Sequence, residues 1–398
     1  MSGPFVGQLG TPAKISVAEG ERKPLTVLQM VDGRILGEAE HTARTLSAAI
    51  VGASGRALIA AGGEMGPRVR VVGAETFHFQ PEASILNRRG NVDQLIAIVD
   101  EAGVDVIHAH SPDMARTAGI AAGALGAKLV VTVHEPPRKG LLSSGSALGG
   151  ADRVIAMSDD MAGRLIGKSL SLGDIAVIPP GADMNVFAEE VVGPARTIQL
   201  ADDWGLTEDT RPILLAPGRL SPDAGHDVLI RALARLKKAR GEDFLCLIVG
   251  EGDPGGVEAA AVQAGLSGAV KLVGKTDDPA AAMKLAALVV SAATTPPPAG
   301  REIIEAQAMG RPVVAPAHGA AAEIVQNGVS GWLTPPGDAD ALAMALSQAL
   351  DMDESQRAHI GMAGRAQIRA RYTLDAAMTA TLAIYEDLAG RTFQAPYI

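Results

Sequence analysis

The chain alternates short apolar runs with longer stretches of helical periodicity, and it does so in two separate series. In the first series, within residues 25–181, the apolar runs are LTVLQMV, RALIAA, VRVVGA, VDVIHAHS, KLVVTVHE, RVIAMS and IAVIPPG. Segments between them, such as EAEHTARTLSAAIV and VDQLIAIVDEAG, have the spacing of helices. Buried strands that alternate with helices indicate a parallel sheet covered on both faces.

The second series begins at PILLAPGRL and continues through DFLCLIVGEG, VKLVGKT, ALVVSAA and RPVVAP. A polar stretch, AEEVVGPARTIQLADDWGLTEDT, separates the two series, so we predict a hinge near residues 188–210. The predicted fold class is α/β, with two Rossmann-like, doubly wound domains at residues 24–190 and 200–372 that face each other across a cleft. Open sheets of this kind bind ligands at the carboxyl ends of their strands, so the cleft is the expected site.

The two ends of the chain are predicted to behave differently. Residues 1–23 are rich in glycine, proline and charge, and we expect a flexible tail. Near the other end, Leu374, Met378, Leu382 and Tyr385 follow helical spacing. We expect this C-terminal segment, residues 374–398, to pack back on the first domain.

Composition narrows the class of function. The chain has 398 residues, of which 47% are hydrophobic and 20% charged, which is ample material for a buried core. Its net charge of −10 disfavours nucleic acid as a partner, because binding to a phosphate backbone requires a basic face. The single cysteine, Cys246, lies in the apolar run FLCLIVG, and a chain without an internal disulfide is typical of a reducing cytoplasm.

The sequence also favours a cytoplasmic location on other grounds. Its N-terminus lacks a basic start followed by an apolar core, the pattern of a signal peptide. No uninterrupted apolar stretch approaches the ~20 residues of a membrane-spanning helix. Peripheral contact with the inner face of a membrane stays open as an alternative.

Several familiar motifs are imperfect, and they predict neither a cofactor nor a metal. GEGDPG at residues 250–255 matches a dinucleotide fingerprint, but Pro254 interrupts its turn. The segment 274–276 ends like a phosphate-binding P-loop, yet Ala269 stands where that motif requires glycine. His108 and His110 face the same side of a predicted strand without further spaced ligands, so packing at the strand end is favoured over metal binding.

Residues from both series form a candidate site for an anionic ligand. Arg219 follows a predicted strand, and an arginine can bind two diphosphate oxygens at once; a structural ion pair is the competing interpretation. Gly300 and Arg301 precede IIEAQAM, whose free N–H groups at the helix start attract an anion. Glu305, one turn later, can accept hydrogen bonds from vicinal hydroxyls, or it is a plain surface carboxylate. His134 ends the buried run KLVVTVHE and is placed at the cleft, although a lone histidine is more often structural.

Taken in order, these segments resemble the family 4 retaining glycosyltransferases, which have the GT-B fold. The similarity runs from about residue 24 to 390 and includes VIHAHS, VVTVHE, ADRVIAMSDD, VIPPGADMNVF, APGRLSPDAGHDVLIRAL, LIVGEGD, VKLVGKTDD, EAQAMGRPVVA and SGWLTPPGDADALA. The resemblance implies transfer of a sugar from a UDP- or GDP-sugar to a polysaccharide, lipid-linked or similar acceptor. It implies that the configuration of the sugar is retained, that no metal or cofactor is needed, and that the product belongs to a bacterial-type envelope.

The resemblance also implies roles for individual residues. Arg219 would hold the diphosphate, Glu305 the ribose, and His134 would lie beside the transferred sugar, so that His134 and Arg219 are the expected catalytic residues. The loop that holds Lys275 and Thr276 would border the base. The expected substrate-binding residues are Gly37, Gly250, Lys275, Thr276, Gly300, Arg301 and Glu305.

The chain departs from the family pattern at the same place. Ala224 stands where the family has a phosphate-binding lysine, and Pro297 where it has a glutamate that grips the sugar. Glu302 adds a carboxylate near the expected phosphates, and Glu38 adds bulk to the glycine loop that follows the first strand. Each lost charge-assisted contact costs ~1.5–3 kcal/mol, so we predict weak binding of ordinary UDP- and GDP-sugars.

These departures leave alternatives to an active glycosyltransferase. The first is a catalytically inactive homologue, a pseudoenzyme that acts as a binding or scaffolding partner in envelope polysaccharide synthesis. The second is a sugar-nucleotide isomerase on the same fold, which is less favoured because the chain lacks a paired acid and base.

Overall fold

The chain folds into two separate parallel sheets, each flanked by helices. A computed structural model describes residues 23–31, 37–61, 73–79, 88–135, 148, 150–166 and 170–396. Within these ranges the prediction of two Rossmann-like α/β domains is confirmed. Residues 1–22 of the predicted tail and most of the predicted strand VRVVGA lie outside the described residues.

The first sheet comes from the first half of the chain. Its strands are β1 (Thr26–Val31), β2 (Arg56–Ala61), β3 (Glu75–His78), β4 (Val106–Ala109), β5 (Lys128–Val133), β6 (Arg153–Ala156) and β7 (Ile175–Val177). Its helices are α1 (Glu38–Gly52), α2 (Arg88–Ala102), α3 (Pro112–Leu125) and α4 (Asp159–Leu165). The strand order is β3-β2-β1-β4-β5-β6-β7, and all pairs are parallel.

The second sheet has the order β10-β9-β8-β11-β12-β13, again parallel. Its strands are β8 (Ile213–Pro217), β9 (Leu245–Val249), β10 (Val270–Gly274), β11 (Leu288–Val290), β12 (Val313–Pro316) and β13 (Gly331–Thr334). The helices of this half begin with α5 (Pro194–Asp203), α6 (His226–Arg240), α7 (Gly255–Gln263), α8 (Pro279–Leu285) and α9 (Arg301–Ala308). They end with α10 (Gly319–Ile324), α11 (Ala339–Asp351), α12 (Glu354–Arg371) and α13 (Leu374–Ala389).

Both sheets reverse their strand order at one point, which places a crevice there. The reversal lies between β1 and β4 in the first sheet and between β8 and β11 in the second. Chains leave these neighbouring strands in opposite directions, so the carboxyl ends of the strands are left uncovered and form the usual ligand crevice. The candidate residues follow β5, β8 and the segment after β11, as this rule requires.

Two observed strands, β3 and β13, do not correspond to any apolar run that predicted a strand. β3, with the sequence ETFH, is an edge strand whose residues are half-buried or exposed, so it carries no apolar run. β13 begins at Gly331, where a Cβ would lie 2.2 Å from the carbonyl oxygen of Val313 on β12. That close approach requires glycine, which shortens the apolar run of this strand.

The last helix of the chain packs on the first sheet, although it follows the second. Leu382 and Tyr385 of α13 are fully buried, in a cluster with Val27 and Ile59 of the first sheet. The segment that leads into α13 packs closely against Gly181, where a Cβ would lie 2.1 Å from the backbone of Thr373. The domain limits 24–190 and 200–372 and the hinge near 188–210 stay predictions.

None of the helices in the described ranges is both long enough and apolar enough to cross a membrane.

Candidate active site in the cleft between the sheets

Charged side chains from both halves of the chain meet where the strands of the two sheets end. Arg219, just after β8, has Nη2 3.7 Å from Oε1 of Glu135, which lies two residues beyond β5. Arg301, at the start of α9, has Nη1 3.3 Å from Oε2 of Glu38, at the start of α1. The structure therefore brings the predicted Arg219 and Arg301 to the same cleft, each opposite a carboxylate of the first half.

Gly300 fixes where α9 begins. Its backbone is left-handed, with φ +62°, and a Cβ there would lie 2.8 Å from Ile324 Cδ1. One face of the helix that follows is buried and includes Ile303 and Ile304. The opposite face carries Arg301 and Glu305 one turn apart, so it presents both to the cleft.

Arg301 lies between two carboxylates and still has an unpaired donor. Its Nε lies 3.2 Å from Oε1 of Glu305, but the pair lacks hydrogen-bond alignment, and this buried Nε has no hydrogen-bond partner within the described ranges. The side chains of Arg301, Glu305 and Glu38 are only 25%, 15% and 22% exposed. Since a buried donor without an acceptor is costly, the guanidinium is well suited to an anion that enters the cleft.

Burial also changes the protonation of the carboxylates around Arg301. Burial raises the pKa of Glu305 to about 7; Arg301 opposes this rise, while Glu38 and Glu302 add to it. Burial raises the pKa of the Glu302 carboxyl as well, and Glu38 acts in the same direction. The same burial makes a negative charge on Glu302 less favourable beside the expected phosphates.

The turn that carries Arg219 is held by close contacts between glycine backbones. A Cβ at Gly250 would lie 1.6 Å from the carbonyl oxygen of Gly218, so the turns after β8 and β9 touch. Gly250 N also donates to the carbonyl oxygen of Gly274 at 2.9 Å, which joins the end of β10 to the same edge. Arg219 itself is 70% exposed and is free to adjust to a ligand.

The predicted base-binding loop lies at this edge too. Lys275 Nζ is 2.5 Å from Oε1 of Glu251, and both side chains are exposed. Thr276 Oγ1 accepts a hydrogen bond from the Asp278 backbone N–H at 3.1 Å, so it shapes the turn into α8. Gly250 and Lys275 are thus neighbours of Arg219, whereas Arg301 and Glu305 lie with Glu38.

Gly37 begins the first helix with an extended backbone, φ −171°. Its carbonyl oxygen accepts a hydrogen bond from His41 N at 3.0 Å. Of the described residues, none has an atom within 4 Å of a Cβ built at Gly37. Its position next to Glu38 places it at the cleft, beside Arg301.

The two residues that depart from the family pattern lie on adjoining segments. Ala224 ends a short turn that is followed by Gly225, where a Cβ would lie 1.9 Å from the carbonyl oxygen of Ala292. Thr294 N donates to the carbonyl oxygen of Asp223 at 3.0 Å, which fixes this contact. Pro297 follows three residues later, so the segments that carry Ala224 and Pro297 adjoin at Thr294.

His134 is buried and has one nitrogen without a partner. It is 7% exposed, and its Nε2 lies 3.1 Å from Nδ1 of His110. Its Nδ1 is buried and makes no hydrogen bond to any residue that the structure describes. Burial, with a smaller contribution from the charge of Arg301, lowers the pKa of His134 to about 3, so the ring is neutral near pH 7.

The sequence did not reveal which polar groups join His134 or which ion pairs cross the cleft. Gln29, His110 and Tyr385 lie in one buried hydrogen-bonded chain with His108, whose pKa burial lowers to about 3. Among the described residues, no group of three or more His, Cys, Asp or Glu side chains could hold a metal ion. A polar residue inside an otherwise apolar strand, such as Gln29 in TVLQMV, is the signal that could have pointed to this chain of bonds.

Two family models match the chain. Glycosyltransferase Family 4 matches residues 39–186, and Glycosyl transferases group 1 matches residues 201–367. A phosphatidyl-myo-inositol mannosyltransferase of Mycolicibacterium smegmatis is 30% identical over 301 residues, which are 73% of this chain and 73% of that protein. A D-inositol 3-phosphate glycosyltransferase of Xylanimonas cellulosilytica is 31% identical over 314 residues, 72% of each chain.

Solved structures show the same arrangement of sheets. A glycosyltransferase from Rickettsia africae has a TM-score of 0.83 at 23% identity, covering 92% of this chain and 99% of that one. Anabaena Alr3699/HepE, solved in complex with UDP and glucose, has a TM-score of 0.77 at 24% identity, covering 90% and 98%. At this level of identity the likeness establishes the fold.

Two facing Rossmann-like sheets, with arginines and a buried histidine at the ends of their strands, define a glycosyltransferase of the GT-B class. The chain belongs to glycosyltransferase family 4, as its sequence predicted. The family and the fold are those of a hexosyltransferase-type enzyme.

Proposed function

We propose that the protein transfers a sugar from a UDP- or GDP-sugar to a glycan or glycolipid acceptor, with retention of configuration at the transferred carbon. One observation carries the proposal: within the described part of the chain, Arg301 Nε and His134 Nδ1 at the cleft are both buried without a hydrogen-bond partner. A sugar nucleotide supplies a matching partner for each, a phosphate oxygen for the arginine and a sugar hydroxyl for the histidine. Buried polar groups are normally paired, so these two atoms support a ligand that has both functions.

The other predicted residues fit the same ligand. Arg219 is exposed at the end of β8 and would bind the diphosphate with two N–H groups. Glu305, once ionised, can accept hydrogen bonds from the two hydroxyls of the ribose. The free N–H groups at the start of α9 add a positive dipole end beside the phosphates. Gly250 and Lys275, next to Arg219, would border the base.

Arg301 can supply the positive charge of the family's phosphate-binding lysine, whose position Ala224 occupies in this chain. The diphosphate leaves as the bond between the sugar carbon and its phosphate oxygen breaks, so negative charge grows on the leaving group. Fixed positive groups at that point stabilise the transition state, and loss of one such donor can cost about 10²–10³ in rate. Arg219 and Arg301 together supply two cations, while neutral His134 takes no proton and only holds the sugar. The proton of the acceptor hydroxyl must leave as the new bond forms, and in a retaining transfer an oxygen of the departing phosphate can take it.

The names of the relatives support a choice of acceptor class. They are a phosphatidyl-myo-inositol mannosyltransferase and D-inositol 3-phosphate glycosyltransferases. We infer that the acceptor here is likewise a polyol headgroup, a glycolipid or a lipid-linked glycan of the cell envelope. Contact with the inner face of a membrane from a cytoplasmic location is part of this proposal.

A matched pair of arginine variants tests the donor site. In Arg219→Ala the affinity for UDP- and GDP-sugars, measured by isothermal titration calorimetry, should fall about 10- to 150-fold, because charge-assisted hydrogen bonds are lost. Arg231 lies in the following helix, is 56% exposed and pairs with Asp227 one turn earlier. Arg231→Ala should leave the affinity within about twofold. Equal effects of the two variants would remove Arg219 from the donor site.

A catalytically inactive binding partner is the second candidate, and the cleft itself provides its support. Pro297 has no carboxylate to hold a sugar, and Glu38 already pairs with Arg301. Under this alternative no donor is turned over, and Arg219→Ala leaves the cellular role intact. Turnover by the natural protein that is abolished in Arg219→Ala or His134→Ala would exclude it.

A further inference from the structure

His134 is the last member of a buried chain of hydrogen bonds that reaches the C-terminal helix. His110 joins His134 to Gln29, through Nε2 2.7 Å from Gln29 Oε1. Gln29 Nε2 donates to the Tyr385 hydroxyl at 3.3 Å, and that hydroxyl lies 2.5 Å from His108 Nδ1. Thr132 Oγ1, 2.7 Å from His108 Nε2, ends the chain. Gln29, His108, His110, Thr132 and Tyr385 are all at most 3% exposed.

Which group donates and which accepts in each hydrogen bond follows from the assignment of the neighbouring bond. Gln29 presents its carbonyl oxygen to His110, so His110 carries its proton on Nε2 and has a bare Nδ1. A bare Nδ1 can only accept, so His134 donates from Nε2 and its own Nδ1 is bare. The Tyr385 hydroxyl accepts from Gln29 and therefore donates to His108, whose Nε2–H donates to Thr132. Burial lowers the pKa of His108 to about 3 and that of His110 well below its ordinary value, so these rings are neutral, as the pattern requires.

The same groups have a second arrangement, in which the donor and the acceptor of every hydrogen bond are exchanged. If the Gln29 amide turned over, its NH₂ group would face His110 Nε2, and His110 would protonate on Nδ1. His134 would then carry its proton on Nδ1 and offer a donor to the cleft. Hydrogen-bonded chains of this kind change together, because each group that reverses leaves its neighbour without a partner.

We propose that Tyr385 is a positioning residue of the active site: its hydroxyl holds the Gln29 amide in one orientation and so keeps Nδ1 of His134 a bare hydrogen-bond acceptor. The link to the substrate rests on the proposed function. There, Pro297 has no carboxylate to hold a sugar, and the carboxylates of Glu135 and Glu38 already face Arg219 and Arg301. A bare His134 Nδ1 adds an uncharged acceptor for sugar hydroxyls on the side of the first sheet.

The protonated nitrogen of each histidine can be observed directly. In protein with ¹⁵N-labelled histidine, two-bond proton–nitrogen correlation spectra show which ring nitrogen carries the proton, and the signals missing in His134→Gln identify His134. The wild-type protein should carry the proton of His134 on Nε2. In Tyr385→Phe the Gln29 NH₂ group loses its acceptor, so the amide turns toward His110 and the Nδ1–H form of His134 should become populated.

Tyr372→Phe is the matched control. Tyr372 is the other buried tyrosine of the described residues; it lies in the core of the second half, and its loss should leave His134 unchanged. A wild-type His134 with its proton on Nδ1 overturns the proposal without any variant. A Tyr385→Phe protein that is folded by circular dichroism and keeps the wild-type form of His134 overturns the role of Tyr385.

Binding separates this inference from the proposed function. In Tyr385→Phe the affinity for UDP-glucose or GDP-mannose should fall about two- to tenfold, the effect of one weakened hydrogen bond. The affinity for UDP or GDP alone should not change, because neither contains the sugar. Equal losses for nucleotide and nucleotide-sugar would overturn the contact between His134 and the sugar. If neither sugar donor binds the wild-type protein, the proposed function fails, while the spectra still decide the state of His134.

Discussion

Arg301 Nη1 lies 3.3 Å from Oε2 of Glu38, and this ion pair joins the start of α9 in the second half of the chain to the start of α1 in the first. Glu305 approaches the same guanidinium from one turn along α9. Partly exposed ion pairs contribute about 0–1 kcal/mol to stability, so the main effect of this pair is on what else Arg301 can bind. In the proposed function, Glu38 and the donor phosphates compete for one arginine.

Removal of that competitor should strengthen donor binding. In Glu38→Gln, Arg301 is released to the phosphates, and the affinity for UDP- or GDP-sugars should rise about two- to fivefold, the size of a partly exposed ion pair. Isothermal titration calorimetry at low and high salt measures this, and the gain should shrink at high salt. Glu258→Gln, an exposed acid on α7, serves as the control. Weaker binding in Glu38→Gln would show that Glu38 holds Arg301 in its active position instead.

Glu305 gives a prediction about pH and stability. Burial raises the pKa of Glu305 from its ordinary value of 4.5 to about 7. Between pH 4.5 and 7 the folded state keeps a proton that the unfolded state has lost, so stability falls as pH rises through this range. Glu305→Gln should therefore be more stable than wild type at pH 8, by an amount on the order of 2–3 kcal/mol, and nearly equal to it at pH 4.5.

Urea unfolding at the two pH values measures this difference. Glu354→Gln, at an exposed helix start, should show no pH-dependent gain. The same variant pair should differ in binding, since Glu305→Gln loses the carboxylate proposed to hold the ribose. A constant difference between Glu305→Gln and wild type at both pH values would contradict the raised pKa.

Buried His134 predicts the opposite dependence at acid pH: the free energy of unfolding should fall as the pH is lowered. Burial lowers the pKa of His134 to about 3. Between pH 6.5 and 3, His134 therefore binds a proton in the unfolded state but not in the folded state. Stability from this group is complete above pH 6.5 and is lost as pH falls, by up to about 1.4 kcal/mol per pH unit. Replacing His134 by glutamine should flatten the fall in unfolding free energy between pH 6.5 and 5. The exposed His359 is the control, and an equally flattened slope in His359→Gln would remove the assignment to His134.

Glu323 predicts how the two halves are held together. Its carboxylate, on α10, accepts hydrogen bonds from the backbone N–H groups of Asp159 and Asp160 at 3.0 and 2.8 Å, at the start of α4 in the other half. Loss of such a cap costs ~1–2 kcal/mol, so Glu323→Ala should shift the balance toward an open cleft about 5- to 30-fold. Small-angle X-ray scattering should show a larger radius of gyration for Glu323→Ala than for Glu354→Ala. Identical curves for the two would mean that other contacts set the angle between the halves.

The parallel sheets could be predicted from the sequence because their strands are buried on both faces. A strand such as β5, KLVVTV, must be apolar along nearly its whole length, and that run is visible without any structure. β3 was not predicted because an edge strand needs no apolar run. β13 was not predicted because glycine is required where this strand approaches β12. The position of α9 was predictable from Gly300, whose left-handed backbone ends one segment and begins the next.

The contacts of the site depend on distances that no local pattern contains. Glu38 and Arg301 are far apart in sequence and meet only because of the angle between the two sheets. Gln29 and Tyr385 are separated by 356 positions, and their hydrogen bond requires the last helix to return to the first strand. Sequence patterns could therefore place single residues at the cleft, but not say which charge would face which.

Release of nucleoside diphosphate from a panel of UDP- and GDP-sugars, in the presence of glycolipid and inositol phosphate acceptors, tests the central claim most directly. We expect acceptor-dependent release by the natural protein, a fall of about 10²-fold or more in Arg219→Ala, and little change in Arg231→Ala. Absence of release from every donor, or release that Arg219→Ala leaves unchanged, would contradict it.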